Sequence, residues 1–275
     1  MSKVKMILKE VLGQLQLIWT VSWYNNKASV QGHRFGMLWE IFDPLIQVGI
    51  YFFIFGMARD MDPVLFGLGD RYVYVPFFPW MITGMTAWMF MRKVTLDASK
   101  SVKKDLSLVS KMQFPMSVMP AMTLASQILL FSVMTVTSVI VVLIFGFVPT
   151  LHMLQFVYYT VSMFIFIYFF ALLNSTLIIM FPDYSKILKP FMRFNMFFAG
   201  VIWRTGERFP AWFAHLMDLN PFSYIVTGMR YTFFGQAYFW QHWETTLFFW
   251  ALIVVLAIVS SHLHLKLRAK FVDLV

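Results

Sequence analysis

The chain has 275 residues, 60% hydrophobic and 19% aromatic, with 22 Lys and Arg against 13 Asp and Glu for a net charge of +9. At a mean hydropathy of +0.70, so little polar surface cannot clothe a soluble globule, and apolar runs this long and continuous fit spanning helices rather than the alternating strands of an outer-membrane barrel. The absence of cysteine excludes disulfides, thiol catalysis and thiolate metal sites, and basic residues placed beside apolar runs suit a membrane surface and an anionic cargo, not nucleic acid.

Met1 to Lys9 lacks the apolar core and cleavage site of a signal peptide. From Val4 to Trp19 apolar residues recur every three or four positions, with Lys5, Lys9, Glu10, Gln14 and Gln16 opposite them. That spacing predicts an amphipathic helix in the membrane interface, within an N-terminal region of residues 1–36. The polar stretches Tyr24 to Lys27 and Gln31 to His33 read as turns into the first span, about 37–58. Arg34, Trp39, Glu40, Asp43 and Pro44 stand at its mouth. Only Leu45 to Ala58 follows before Arg59, roughly 21 Å of helix against a hydrocarbon core of about 30 Å. Glu40 and Asp43 therefore lie in the first turns, at the headgroups or facing protein.

Arg59 to Arg71, with Asp60, Asp62, Asp70 and Pro63, reads as a loop in water. The second span, about 72–91, is bent at its entry by Pro76 and Pro79. Arg92 to Pro115 is too polar to cross and too long for a simple connection. It predicts a helix over about 95–113, capped by Thr95, with Leu96, Val102, Leu106 and Met112 near one side, Lys103, Lys104 and Asp105 on the rest, and Phe114-Pro115 ending it. Such a helix offers a docking surface. The third span, about 116–148, is uncharged and longer than a bilayer needs, so it is tilted or protrudes.

The fourth span covers about 153–180, and its Asn174-Ser175-Thr176 cluster suits helix-to-helix hydrogen bonding. Phe181 to Lys186, containing Asp183, is a short polar connection to the fifth span, about 187–203. Arg193 there lies well inside the membrane profile, positioned either for a functional contact or to reach back to the headgroups. Arg204 to Glu244 is aromatic but cut by Pro210, Pro221 and Gly235 into pieces below 20 residues, which predicts re-entrant half-helices over about 210–235. The sixth span is about 245–263. Sixteen of the 22 Lys and Arg then fall on one side, so both termini and the 95–113 helix are expected in the cytoplasm.

Several residues here carry a resemblance. The order Gly36-x-Leu38-Trp39-x-x-x-x-Pro44-Leu45-x-Gln47 resembles the first span of ABC-2 type exporter permeases. With the Ile50 to Gly56 tail, it looks most like those that export wall teichoic acid. Lys111-Met112-x-Phe114-Pro115 and Leu219-Asn220-Pro221 extend the likeness over nearly the whole chain. The resemblance implies an all-α membrane protein of six transmembrane helices, with an N-terminal interface helix, a cytoplasmic coupling helix and external re-entrant half-helices before the last span. It implies a transmembrane domain over 37–275 in the bacterial plasma membrane, and a homodimer bound to two copies of a separate ATPase.

The chain itself contains no Gly-x-x-x-x-Gly-Lys-[Ser/Thr]. His262 and His264 are wrongly spaced to share a helical face, and no nucleophile and base arrangement emerges. Transport without a catalytic or metal site is expected, and the resemblance implies ATP and Mg on the partner and a diphosphate-lipid-linked polyol-phosphate polymer as cargo. Coupling to the ATPase is expected from Leu96, Val102, Lys103, Lys104, Asp105, Leu106, Met112, Phe114 and Asp183. The path is expected along Arg34, Trp39, Glu40, Asp43, Tyr51, Phe52, Arg193, Trp203 and Trp212. Export of capsule or O-antigen is the near alternative. A membrane enzyme using Asp60, Asp62, Asp70 or Glu207 is the distant one, since these form no recognisable motif.

Overall fold

A computed structural model describes residues 2–29, 38–58, 63–68, 71–104, 115–202 and 210–272. The N-terminal region forms two helices, α1 (Lys3–Leu12) and α2 (Leu15–Ser29). Ser2 caps the first through its hydroxyl on the Lys5 amide, and the helix ends at Gly13. One continuous helix to Trp19 was expected; the break falls at Gly13-Gln14, and the supposed turn at Tyr24 to Lys27 is helical. The reason is tertiary. Ser22 Oγ donates to Met122 O at 2.7 Å and Asn26 Nδ2 to Ser126 O at 2.7 Å, so polar residues that looked like a turn are bonds to a neighbouring helix.

The first long helix is α3 (Leu38–Ala58), with Pro44 in its interior. The segment expected as loop holds an antiparallel hairpin, β1 (Val64–Leu68) with β2 (Arg71–Val75), pairing Val64 to Val75. Val64, Phe66 and Val75 point into the core, the alternation that a half-buried strand needs. Then α4 (Phe77–Lys104) runs unbroken for 28 residues, about 42 Å. Thr95, expected to cap a separate helix, is buried inside it. Pro79 falls in the first turn, where a missing N–H costs little, so no kink results.

The third apolar run is α5 (Val118–Ser126) and α6 (Ile128–Ile144), separated at Gln127. After a short 3₁₀ turn at Leu151–Leu154 comes α7 (Gln155–Met180). Next are α8 (Tyr184–Phe198), α9 (Ala211–Asp218) and α10 (Pro221–Phe234). A second 3₁₀ turn at Phe239–His242 leads into α11 (Trp243–Val272), longer at both ends than the expected last span. Asn220 begins α10 by accepting from the Phe222 amide, and Gly235 ends it at φ +63°, a left-handed position that glycine adopts without steric cost.

Contacts fix the direction of these helices. Val102 at the end of α4 packs with Met116, Met119 and Ile179, and with Leu267 near the end of α11. At the other end, Phe66 of the hairpin stacks on Tyr231 of α10, and Phe52 meets Phe78. Hence α3, α5–α6 and α8 run one way, and α4, α7 and α11 run back. Among the described residues three stretches are long and apolar enough to cross a bilayer, Val118–Ile144, Leu151–Met180 and Phe239–Arg268, and Phe42–Phe55 is a shorter apolar helix. The protein is thus a predominantly helical membrane protein. At its centre α4 is wrapped by protein from Pro79 to Met91, which is why this segment can carry Thr83, Gly84 and Thr86. Thr86 Oγ1 and Ser138 Oγ lie 2.6 Å apart, a polar rung between α4 and α6.

The termini meet. Ile7 of α1 and Ile18 of α2 are buried against Val118, Tyr168, Phe169 and Ala257. Glu10 accepts from Arg268 Nη1 at 2.8 Å and from the Ser117 hydroxyl, which places the chain's two ends on one face of the bundle.

Candidate functional site

Two regions of the bundle carry residues singled out above, and a third emerges from the structure. The face bearing the termini holds the expected coupling surface. Lys103 and Lys104 are exposed at the last turn of α4, and Asp183, in the connection after α7, pairs with Lys186 at 2.7 Å in full solvent. Since Val102 packs against Ile179, four residues before Asp183, the α4 end and this connection form one surface. Leu96 is half-buried against the core and Val102 is fully buried. The face contributed by α4 is basic, as its last two residues show. Asp105, Leu106, Met112 and Phe114 lie outside the described residues. Tyr184 donates to Asn174 Oδ1 at 2.6 Å, and burial raises its phenol above the usual value, which keeps it a donor. Thr176 Oγ1 lies 3.0 Å from His264 Nδ1, so the 174–176 cluster ties α7 to α8 and α11.

The expected path residues lie along α3 and α8. These helices both pack on α4, and they meet at Phe55 and Phe197, ring centroids 6.5 Å apart. Trp39 and Asp43 are exposed, Tyr51 and Phe52 half-buried, and Tyr51 accepts from Gln47 Nε2 at 3.3 Å. Arg193 is exposed on α8 between Phe191 and Phe194, which are 45% and 62% exposed. Leu188, Met192 and Asn195 form its buried side. Ile46, Ile50 and Phe53 continue the open apolar surface on α3. An apolar surface this extended needs lipid or another protein against it. Trp212 is 66% exposed on α9, whose Phe213 meets Phe198 edge-on at 5.3 Å. Arg34 and Trp203 lie outside the described residues, and for Glu40 only the helical backbone is described.

The third region went unnoticed in the sequence. Arg230 of α10, within the half-helices expected over about 210–235, is only 2% exposed. Its Nε donates to Trp80 O at 3.2 Å, Nη1 to Gly200 O at 2.8 Å and Nη2 to Val201 O at 2.6 Å, and its Cζ lies 3.4 Å from the Trp80 ring centroid. The fork of one side chain thus joins α4, the turn after α8 and α10. Gly84 makes the room, since a Cβ there would lie 2.3 Å from Nη2. Gly228 likewise lets α10 touch α7, where a Cβ would lie 2.0 Å from the Tyr159 ring. Asn220 adds a second tie, from Nδ2 to Asn195 Oδ1 of α8 at 2.8 Å. Two glycines inside helices, at spacings that bring small residues opposite large ones, were the available signal.

A model of the ABC-2 type transporter family matches residues 16–234. Two curated relatives, both O-antigen export system permease proteins RfbA of Klebsiella pneumoniae, are 22% identical over 270 and 269 residues, covering 97% of this chain and 98% of each relative.

Proposed function

We infer that this chain, which belongs to the ABC-2 type transporter family, is the membrane subunit of an ATP-driven exporter of lipid-linked polysaccharide in a bacterial plasma membrane. The observation that carries this reading is the extent of the likeness, 97% of the chain against permeases named for O-antigen export. ATP and Mg would be bound by a separate ATPase, in keeping with a chain that contains no Gly-x-x-x-x-Gly-Lys-[Ser/Thr]. Two ATPase copies would dock on a homodimer of this chain, with both termini in the cytoplasm and six membrane passes.

The mechanism follows from α4. It is one rigid rod of about 42 Å, exposed and basic at Lys103 and Lys104, and locked at its other end to α8 and α10 through Arg230. Closure of the ATPase pair would push on the α4 end and the Asp183 connection. Because the rod does not bend, the displacement would arrive at the turn after α8 and at α10, moving them as one body. The open faces of α3 and α8 would line the path with their counterparts in a second copy, and Arg193 would meet phosphate on the cargo.

Two cargoes are distinguished by different observations. The relatives favour an O-antigen-type glycan. The wording of residues 36–56 favours a wall teichoic acid, a polyol-phosphate chain on a diphosphate lipid. Purification of the chain from its native membrane, followed by ATPase assay with each lipid-linked polymer, tests both. A co-purifying ATPase stimulated by one polymer supports export and names the cargo class; no ATPase at all removes the reading.

A further inference from the structure

The helices α3 and α8 each carry a row of side chains four residues apart, and the two rows match rung for rung. On α3 the row is Asp43, Gln47, Tyr51 and Phe55; on α8 it is Ser185, Lys189, Arg193 and Phe197. Residues at that spacing follow one another along one side of a helix, about 6 Å per step. Phe55 and Phe197 meet at 6.5 Å, and both helices run the same way on α4. Counting down from that crossing sets Tyr51 at the level of Arg193 and Gln47 at the level of Lys189. Between the rows lies a groove, floored by α4 and closed at one end by the two rings.

The two walls differ in chemistry but favour the same ligand. Gln47 Nε2 donates to the Tyr51 hydroxyl at 3.3 Å, which leaves the hydroxyl's own proton to donate onward. Lys189 and Arg193 are exposed, and neither forms an ion pair among the described residues. The acids stand lower: Asp183 is taken by Lys186, and Asp43 lies one step below, opposite Ser185. Because Phe42–Phe55 is an apolar helix, the two upper rungs lie within the bilayer, where a cation is costly unless an anion meets it. An anion at that depth arrives on a lipid. Ile50 and Phe53 on α3, and Phe191 and Phe194 on α8, offer apolar flanks to its hydrocarbon tail. Side chains four apart on a helix reach one small group together. Two cations match a headgroup of about two negative charges, a diphosphate, better than the single charge of an ordinary phospholipid diester.

We propose that Lys189 and Arg193 of α8, together with the Tyr51 hydroxyl of α3, hold the diphosphate headgroup of a membrane lipid. That this lipid is an export cargo rests on the exporter reading; the binding itself does not. Equilibrium binding of tritiated geranylgeranyl diphosphate to the full chain in phosphatidylcholine nanodiscs tests it. The native chain binds, and phosphatidylglycerol built into the disc does not compete. Lys189→Gln and Arg193→Gln each weaken binding about tenfold, and Tyr51→Phe about threefold; should a Gln variant not fold, Tyr51→Phe carries the test. Lys5→Gln with Lys9→Gln removes two exposed cations from α1 and leaves binding unchanged. No binding by the native chain, displacement by phosphatidylglycerol, binding unaffected by the α3 and α8 variants, or an equal loss in the α1 variant overturns the proposal. If the diphosphate fails to bind while a lipid-linked polymer still stimulates a co-purified ATPase, the headgroup site falls and the exporter stands. Diphosphate binding without any ATPase partner has the reverse meaning.

Discussion

Replacing Arg230 with Ala removes a side chain that joins α4, α10 and the turn after α8, and the structure sets the size of the effect. Trp80 O keeps a second donor, the Thr83 hydroxyl at 3.0 Å, so it is not orphaned. Gly200 O and Val201 O lose the guanidinium and have no other donor among the described residues. Each buried carbonyl left bare costs about 1–3 kcal/mol, and the desolvated contact with Trp80 is worth about 2 kcal/mol. Relief from burying a cation that has no acidic partner among the described residues offsets part of this, leaving a net loss of about 3 kcal/mol. For a chain of this size that lowers the melting midpoint by roughly 6–10 °C. Arg230→Lys falls between, because an ammonium can donate to the carbonyls but cannot lie flat on Trp80. Thermal unfolding in detergent micelles followed by loss of monodisperse protein reads the shift. The double variant with Gly84→Ala sharpens the test, since both changes break the same contact and their effects should not add. An Arg230→Ala chain that melts with the native one, or a double variant that loses the full sum, refutes the lock.

Other expectations are more local. Gly228→Ala overpacks α10 against Tyr159 and destabilises by about 1–3 kcal/mol, read by the same melt. Asn220→Ala loses a helix cap and the bond to Asn195, a loss of about 1–2 kcal/mol. Lys103→Glu with Lys104→Glu leaves the melting midpoint within about 0.5 kcal/mol of the native chain, yet weakens capture of the ATPase from the native membrane. Because the chain has no cysteine, Lys103→Cys and Trp240→Cys can be labelled singly with an impermeant maleimide in intact cells. Only the Trp240 position reacts if the termini face the cytoplasm.

Helices were legible where one face or the whole segment was apolar: α6 and α7 fall within the expected spans, α11 covers the expected last span and overruns it at both ends, and α10 starts at the Asn220-Pro221 signal and stops at Gly235. Boundaries set by tertiary contact were not. The polar residues 24–27 looked like a turn because the sequence does not show that Asn26 bonds Ser126 of α5. The α4 helix looked like two because Arg92 and Lys93 end an apolar run, although the backbone continues through them to Lys104. The hairpin was hidden by the acidic loop residues around it. At the candidate site, the sequence supplied exposed positions such as Lys103, Asp183 and Arg193, which need no partner to be noticed. It missed Arg230, because a charge on an expected external half-helix gives no sign of burial until Gly84, Trp80 and the turn at Gly200 are brought around it.

The central claim is tested most directly by proteoliposomes containing this chain and its co-purified ATPase, loaded with a lipid-linked glycan and assayed for its appearance on the opposite leaflet with a glycan-cleaving enzyme. The account predicts ATP-dependent accessibility that is lost in the Lys103→Glu, Lys104→Glu chain. Accessibility that arises equally without ATP, or that survives those substitutions, would contradict it.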